Sequence, residues 1–180
     1  MANYIDILLV SEASLKASSS YIDSNIDGNL LLSAIKFAQD SQIQPNIGNK
    51  LMLKLKKLVN MEELNNQENI DYKNLVTDYI HPIIENAVLA QLVVPISFKI
   101  RNIGVNQNYE QQSTPMYLND IKYYKQSWDD KKDFYLNRMI EFLRNNSTLF
   151  PELPNCIGTS TQYTTNLYLG DIPIRKNSCK

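Results

Sequence analysis

Hydrophobic positions along this chain recur mostly at helical spacing. Residues 1–10 are mostly apolar, with one Asp, and read as an extended or docking segment. Ser11 is placed to cap a short helix to about residue 18, where the run Ser18-Ser19-Ser20 breaks it. Residues 23–28 are polar and loop-like. Asp27 then caps a helix over 28–43, with Leu31, Ile35 and Ala38 in one stripe that Leu30, Leu32 and Phe37 widen. Pro45 and Gly48 punctuate the chain before a second helix over 49–59. Its Leu51, Leu55 and Leu58 face one way and Lys50, Lys54 and Lys57 another. That basic row reads as a solvated helix face, against the rival reading of contact with an acidic partner.

Residues 60–69 are polar and read as a loop. A long helix follows over 70–94, with Leu75, Tyr79, Ile83 and Ala87 on one face. Pro82 lies inside it, so the helix either kinks there or begins anew with Pro82 in its first turn. His81 stands before that proline and reads as a structural hydrogen-bonding residue. Pro95 ends the helix, since it cannot donate to the ladder and restricts Val94. The period then changes. Phe98 and Ile100 alternate with Lys99 and Arg101, and Asn102, Gly104, Asn106 and Asn108 supply turn chemistry. This predicts a β-hairpin or long extended loop over 97–112.

Thr114 and Pro115 open the last helix as cap and first-turn residue, and it runs to about residue 146. Tyr117, Ile121, Tyr124, Trp128, Tyr135, Met139 and Phe142 hold 3–4 spacing, with Lys131 as the one polar step. Such an aromatic stripe reads as core packing. The mixed cluster Asp129-Asp130-Lys131-Lys132-Asp133 suits a solvated surface. After residue 150 the helical period ends. Residues 163–169 and 172–174 are strand-prone and set among Thr, Ser and Asn. Residues 151–180 therefore read as an arm that orders against something else. The prediction is a mainly α fold: a bundle of about four main helices over 1–150, with the hairpin as an insertion and the arm extended.

Composition sharpens this. The chain has 180 residues, 43% hydrophobic, with only five glycines, which favours long helices over tight-turned β architecture. A domain of this size buries roughly 70% of its unfolded surface and needs no staples. The net charge of −1 lacks the basic excess of a protein that grips phosphates. Cys156 and Cys179, 23 residues apart with no His nearby, read as free thiols of a reducing compartment, with a disulfide or metal pair as the alternative. No apolar run approaches the ~20 residues of a membrane span. The run Ile5-Asp6-Ile7-Leu8-Leu9-Val10 is too short for a signal core and carries no basic leader, so the expectation is a chain that stays where it is made.

The chemical inventory is thin. One His makes no His-based metal site, and the five glycines are too scattered for a phosphate-cradling loop. A Ser/His/Asp arrangement would have to use His81. Asp129 and Asp133 share a helix face, but Lys125 and Lys132 beside them point to surface pairs, and Glu62-Glu63 is merely adjacent. The expectation is no enzyme, no metal and no cofactor. Binding residues are instead expected in the hairpin, at Phe98, Ile100, Arg101, Val105 and Tyr109, and in the arm, at Tyr163, Leu167, Tyr168, Leu169, Ile172 and Ile174. An exposed strand edge invites pairing with another chain, and strand-prone arms dock by adding to a neighbour's sheet. A subunit that offers one surface and uses another closes into a ring when the rotation allows.

The order of segments carries a resemblance. Residues 34–51 (AIKFAQDSQIQPNIGNKL) are similar to the first helix pair of head-to-tail connector proteins of tailed bacteriophages, most of all the ring proteins of crAss-like phages. Residues 95–105 (PISFKIRNIGV) resemble that family's helix-to-hairpin passage, and 138–151 (RMIEFLRNNSTLFP) the end of its last helix. The resemblance covers about residues 1–151 and leaves the arm uncovered. It implies a helical adaptor fold that assembles as a ring, commonly of twelve copies, beneath the portal in the virion neck. Such a ring joins head to tail and extends the channel through which DNA passes without sequence-specific binding. The partners implied are further copies of itself, the portal and adjacent ring or tail proteins, with assembly in the host cytoplasm and no membrane. Two other readings stand beside it: a monomeric or dimeric helical protein-binding adaptor, and an enzyme with an unrecognised site.

Overall fold

The computed structural model describes residues 7–23, 25–101, 104–107 and 118–154, with the backbone alone for 94–101, 104–107 and 118. The fold is mainly helical. Helix α1 (Glu12–Ser18) starts as expected, with the Ser11 side chain accepting from the Ser14 N–H. Glu12 and Lys16 pair one turn apart at 2.8 Å. Helix α2 (Gly28–Ala38) starts at Asp27, whose carboxylate accepts from the Asn29 N–H. Its buried line of Leu31, Ala34, Ile35 and Ala38 is the stripe expected from spacing. Exposed Leu32 and Phe37 do not widen that stripe into the core.

The path beyond α2 departs from expectation. The chain widens into a π turn (Gln39–Ile43) and continues directly as α3 (Gln44–Asn60), so Pro45 interrupts nothing. The break falls at Gly48 alone, at φ 78° and ψ 162°, a conformation that costs a side-chain-bearing residue strain. A Cβ there would also sit 3.2 Å from the Pro154 ring. The same device recurs. Helix α4 (Ile70–Asn74) widens into a second π turn (Leu75–Ile80) and continues as α5 (His81–Ser97), which carries Pro82 in its first turn. At each site the residue before the proline bonds five residues back, Gln44 to Gln39 and His81 to Val76. The wider turn takes the proline where a regular turn would set its ring against the carbonyl four residues earlier. Asn side chains bond nearby carbonyls, Asn46 to Gln42 and Asn86 to Pro82, each at 2.7 Å.

Pro95 does not end α5, which runs to Ser97. A proline this close to a helix end forfeits one ladder bond, and its fixed φ is itself helical. Past Ser97 the backbone of β1 (Phe98–Arg101) pairs antiparallel with β2 (Gly104–Gln107), setting Phe98 opposite Gln107 and Ile100 opposite Val105. The rest of the 97–112 span lies outside the described residues, as does the Thr114-Pro115 cap. Helix α6 (Leu118–Asn145) is about 42 Å long at ~1.5 Å per residue. The predicted loop over 60–69 is two 3₁₀ turns, Glu63–Asn65 and Gln67–Asn69.

α5 packs on α6 along one side and on α2 along another, with α3 and α1 closing the core. Leu51, Leu55, Ile80, Ile83, Ile84, Val88, Met139, Leu143 and Phe150 are fully buried in it. Two of the three lysines in the basic row of α3, Lys50 and Lys57, are exposed as expected. Lys54 is half-buried with its ammonium 5.6 Å from the Tyr72 ring centre, and Lys56, outside the predicted row, is buried. Residues 7–10 of the N-terminal segment dock on the bundle, with Leu9 and Val10 buried, while residues 1–6 lie outside the described residues. Gln39 in the first π turn holds it: the Leu9 N–H donates to Oε1 at 2.8 Å, and Nε2 donates to the Ile7 carbonyl at 3.1 Å. After α6 a 3₁₀ turn (Ser147–Leu149) brings Phe150 back into the core. Glu152 accepts from the Tyr72 hydroxyl at 2.9 Å. The first residues of the expected arm are thus seated on the bundle. Residues 155–180, with Cys156 and Cys179, lie outside the described residues.

Candidate partner interface

The aromatic residues of α6 divide by depth. Ile121, Trp128 and Met139 are buried, and Tyr135 and Phe142 pack partly buried against the core. Phe142 stacks on Tyr79 of the second π turn at 4.3 Å, and Arg138 lies 5.0 Å above the same Tyr79 ring. This part of the stripe is core, as spacing predicts. Tyr124 is not: it stands 42% exposed. Tyr123 and Phe134, off the stripe, are 79% and 64% exposed. Tyr117 lies outside the described residues.

Tyr21, from the turn after α1, meets this surface. Its ring stands edge-on to Trp128 at 4.9 Å, and Tyr124 meets Trp128 edge-on from the other side at 5.8 Å. Lys131, the polar step in the stripe, lays its ammonium 3.9 Å from the Trp128 ring centre and 6.0 Å from that of Tyr21. A cation over an aromatic face is held by the ring's negative face, at about 0.5–1 kcal/mol when exposed. Tyr21, Trp128, Phe134 and Tyr135, with Pro82 and Asn86 of α5, line an open cleft of about 630 Å³, rimmed by Glu85 and Asp130. Trp128 is the chain's single tryptophan, and its Nε1–H has no acceptor among the described residues.

The charged cluster of α6 is a surface of ion pairs, as expected, with Asp130, Lys131 and Asp133 exposed and Asp129 and Lys132 partly buried. Lys132 bridges Asp129 and Asp133 at 3.2 Å each, and Lys125 pairs with Asp129 from the preceding turn. Burial alone would raise the Asp129 carboxyl, but the hydrogen bonds and charges of Lys125 and Lys132 outweigh it and hold it below its usual value. His81 hydrogen-bonds Ser14 across 3.2 Å, tying α1 to α5. Burial pushes its pKa down, against the opposing charge of Glu85 one turn on. That contribution to stability is present above the ordinary histidine range and is lost as pH falls through the lowered value. A serine and a histidine in contact, with a glutamate nearby, share elements with a nucleophile dyad. Here the serine is an exposed helix-surface residue that does not line the aromatic cleft.

Of the residues expected to bind, Phe98, Ile100 and Arg101 fall in β1 and Val105 in β2. Tyr109, Tyr163, Leu167, Tyr168, Leu169, Ile172 and Ile174 lie outside the described residues. Sequence reasoning missed the cleft. The one local hint was Phe134, an aromatic off the stripe where a helix surface should carry a polar side chain.

Among the described residues no group of three or more His, Cys, Asp or Glu is placed to hold a metal ion. None of the described helices is long and apolar enough to cross a membrane. No curated protein matches the chain, and no solved structure does. One family does match, over residues 43–162, from the first π turn to beyond α6. The chain belongs to that family, described as "Family of unknown function (DUF6712)".

Proposed function

We propose that this protein is a structural subunit that assembles with copies of itself into a ring, in the head-to-tail connector of a tailed bacteriophage. In this reading the helical bundle is the rigid body of the subunit. The strand-prone spans 97–112 and 151–180 are its contact elements, the first as a hairpin insertion and the second as an extended arm. The ring, of about twelve copies by resemblance, joins portal to tail and lengthens the channel through which DNA passes. The observation that carries the reading is the order of segments over residues 1–151: a helix pair broken at Gly48, a helix passing into extended chain after Ser97, and a long last helix returning through Phe150. The net charge of −1 suits a passage that DNA slides through. The exposed aromatic cleft fits a protein that buries surface against other chains.

The test is negative-stain microscopy of the purified full chain, alone and mixed with its portal protein. Ring-shaped particles, or chains added to portal rings, are expected. A chain that stays monomeric and never joins portal rings would overturn the reading in favour of a small, non-ring helical adaptor, for which the same cleft would be the binding groove.

A further inference from the structure

We infer that the cleft between Tyr21 and Phe134 receives the C-terminal arm of a neighbouring copy, with Leu167 and Leu169 as the inserted side chains. This deepens the ring reading and rests on it. The first support is the cleft itself. An aromatic floor with Phe134 and Tyr21 each more than 60% exposed is surface that a monomer gains by covering. Its volume of about 630 Å³ lies within the ~300–1,000 Å³ of sites that enclose small ligands or a few side chains.

The second support is the point from which the arm leaves the bundle, together with the arm's length and sequence. Pro154 lies against Gly48, near the Phe150 end of α6. The cleft's lining on that helix runs from Trp128 to Tyr135, 14 to 7 residues before Phe142, about 21 to 11 Å away at ~1.5 Å per residue. Departure point and cleft are therefore separate surfaces, as a head-to-tail contact requires. Twenty-six residues come after Pro154, and their apolar side chains are concentrated at 163–174. In an extended chain Leu167 and Leu169 share one face and Tyr168 takes the other, so a short strand presents two adjacent anchors to one groove.

The third support is charge. Residues 155–180 carry Asp171 against Arg175, Lys176 and Lys180, net +2, in a chain whose total is −1, which leaves −3 for the remainder. The cleft's rim shows the same sign, with Glu85 and Asp130 facing Lys131, whose ammonium is engaged by the Trp128 ring. Opposite signs on arm and body favour encounter between copies and set its orientation.

The experiment places the photoreactive residue p-benzoylphenylalanine at position 134 of the full chain, keeping an aromatic ring at an exposed site. Chains of natural isotope content and heavy-isotope-labelled chains are mixed, irradiated and mapped by mass spectrometry, with particle size measured in parallel. The expected product is a covalent dimer linking position 134 of one chain to residues 163–174 of another. Leu169→Asp should lower its yield about tenfold or more. Capture of the segment within one chain, capture of a different segment, or no capture would each overturn the seating. Rings whose arms map elsewhere would overturn it and leave the ring reading standing. Monomers at every concentration would overturn both.

Discussion

The two ends of α6 are built from similar residues and end in different surroundings. Near its C-terminus, Met139 and Leu143 are fully buried, and Phe142 lies between Tyr79 and Phe150. The returning chain closes this end, Phe150 meeting Tyr72 edge-on while Glu152 takes the Tyr72 hydroxyl. From its N-terminus to past its middle the same helix leaves Tyr123, Tyr124 and Phe134 exposed, while Tyr21, Tyr124 and Lys131 meet Trp128. Helical spacing says which side chains share a line. How far along that line a covering segment reaches is decided by segments distant in sequence. One end of α6 is core because residues 147–152 fold back on it. The other carries exposed aromatic rings among the described residues.

Truncation at the closed end should have the largest effect. Phe150→Ala removes a fully buried ring from contact with Tyr72 and Phe142, and should cost about 3–5 kcal/mol in denaturant unfolding. A cost below about 1 kcal/mol would mean that this end is not core. Next is the tether of the N-terminal segment. Gln39→Ala strands the Leu9 N–H and the Ile7 carbonyl, and should cost about 2 kcal/mol, with amide exchange at Leu9 rising sharply.

These two residues mark what the sequence disclosed and what it did not. The caps at Ser11 and Asp27, the buried lines of α2 and α3, and the break at Gly48 follow from local chemistry and were legible. The π turns were not. Pro45 and Pro82 carry the usual signals for ending or kinking a helix, and a wider turn upstream lets the helix continue through each. Gln39 reads as one more surface amide until the N-terminal segment, thirty residues away, lies against it. The cleft was hidden likewise. Tyr21 and Phe134 belong to separate segments, and nothing local to either announces the other.

A smaller effect sharpens the contrast at the closed end. Burial, and then the hydrogen bond to Glu152, push the Tyr72 hydroxyl up to about 12. The neutral phenol is favoured in the fold, so its contribution to stability is complete below about pH 10 and is lost as pH rises toward 12. Glu152→Gln should bring the Tyr72 transition downward in an absorbance titration. An unchanged transition would mean that the chain after Phe150 is not seated there. The smallest effect on folding belongs to the open end. Phe134→Ser should change unfolding stability by no more than about 0.5 kcal/mol, since no core residue depends on that exposed ring. A large loss would place Phe134 in the core.

Sedimentation velocity of the full chain beside Phe134→Ser asks whether the exposed aromatic face of α6 is where one copy meets another. If it is, the parent chain sediments as a closed multi-subunit particle and the variant, equally helical, shifts toward monomer. Identical sedimentation of the two, whether both monomeric or both assembled, would contradict it.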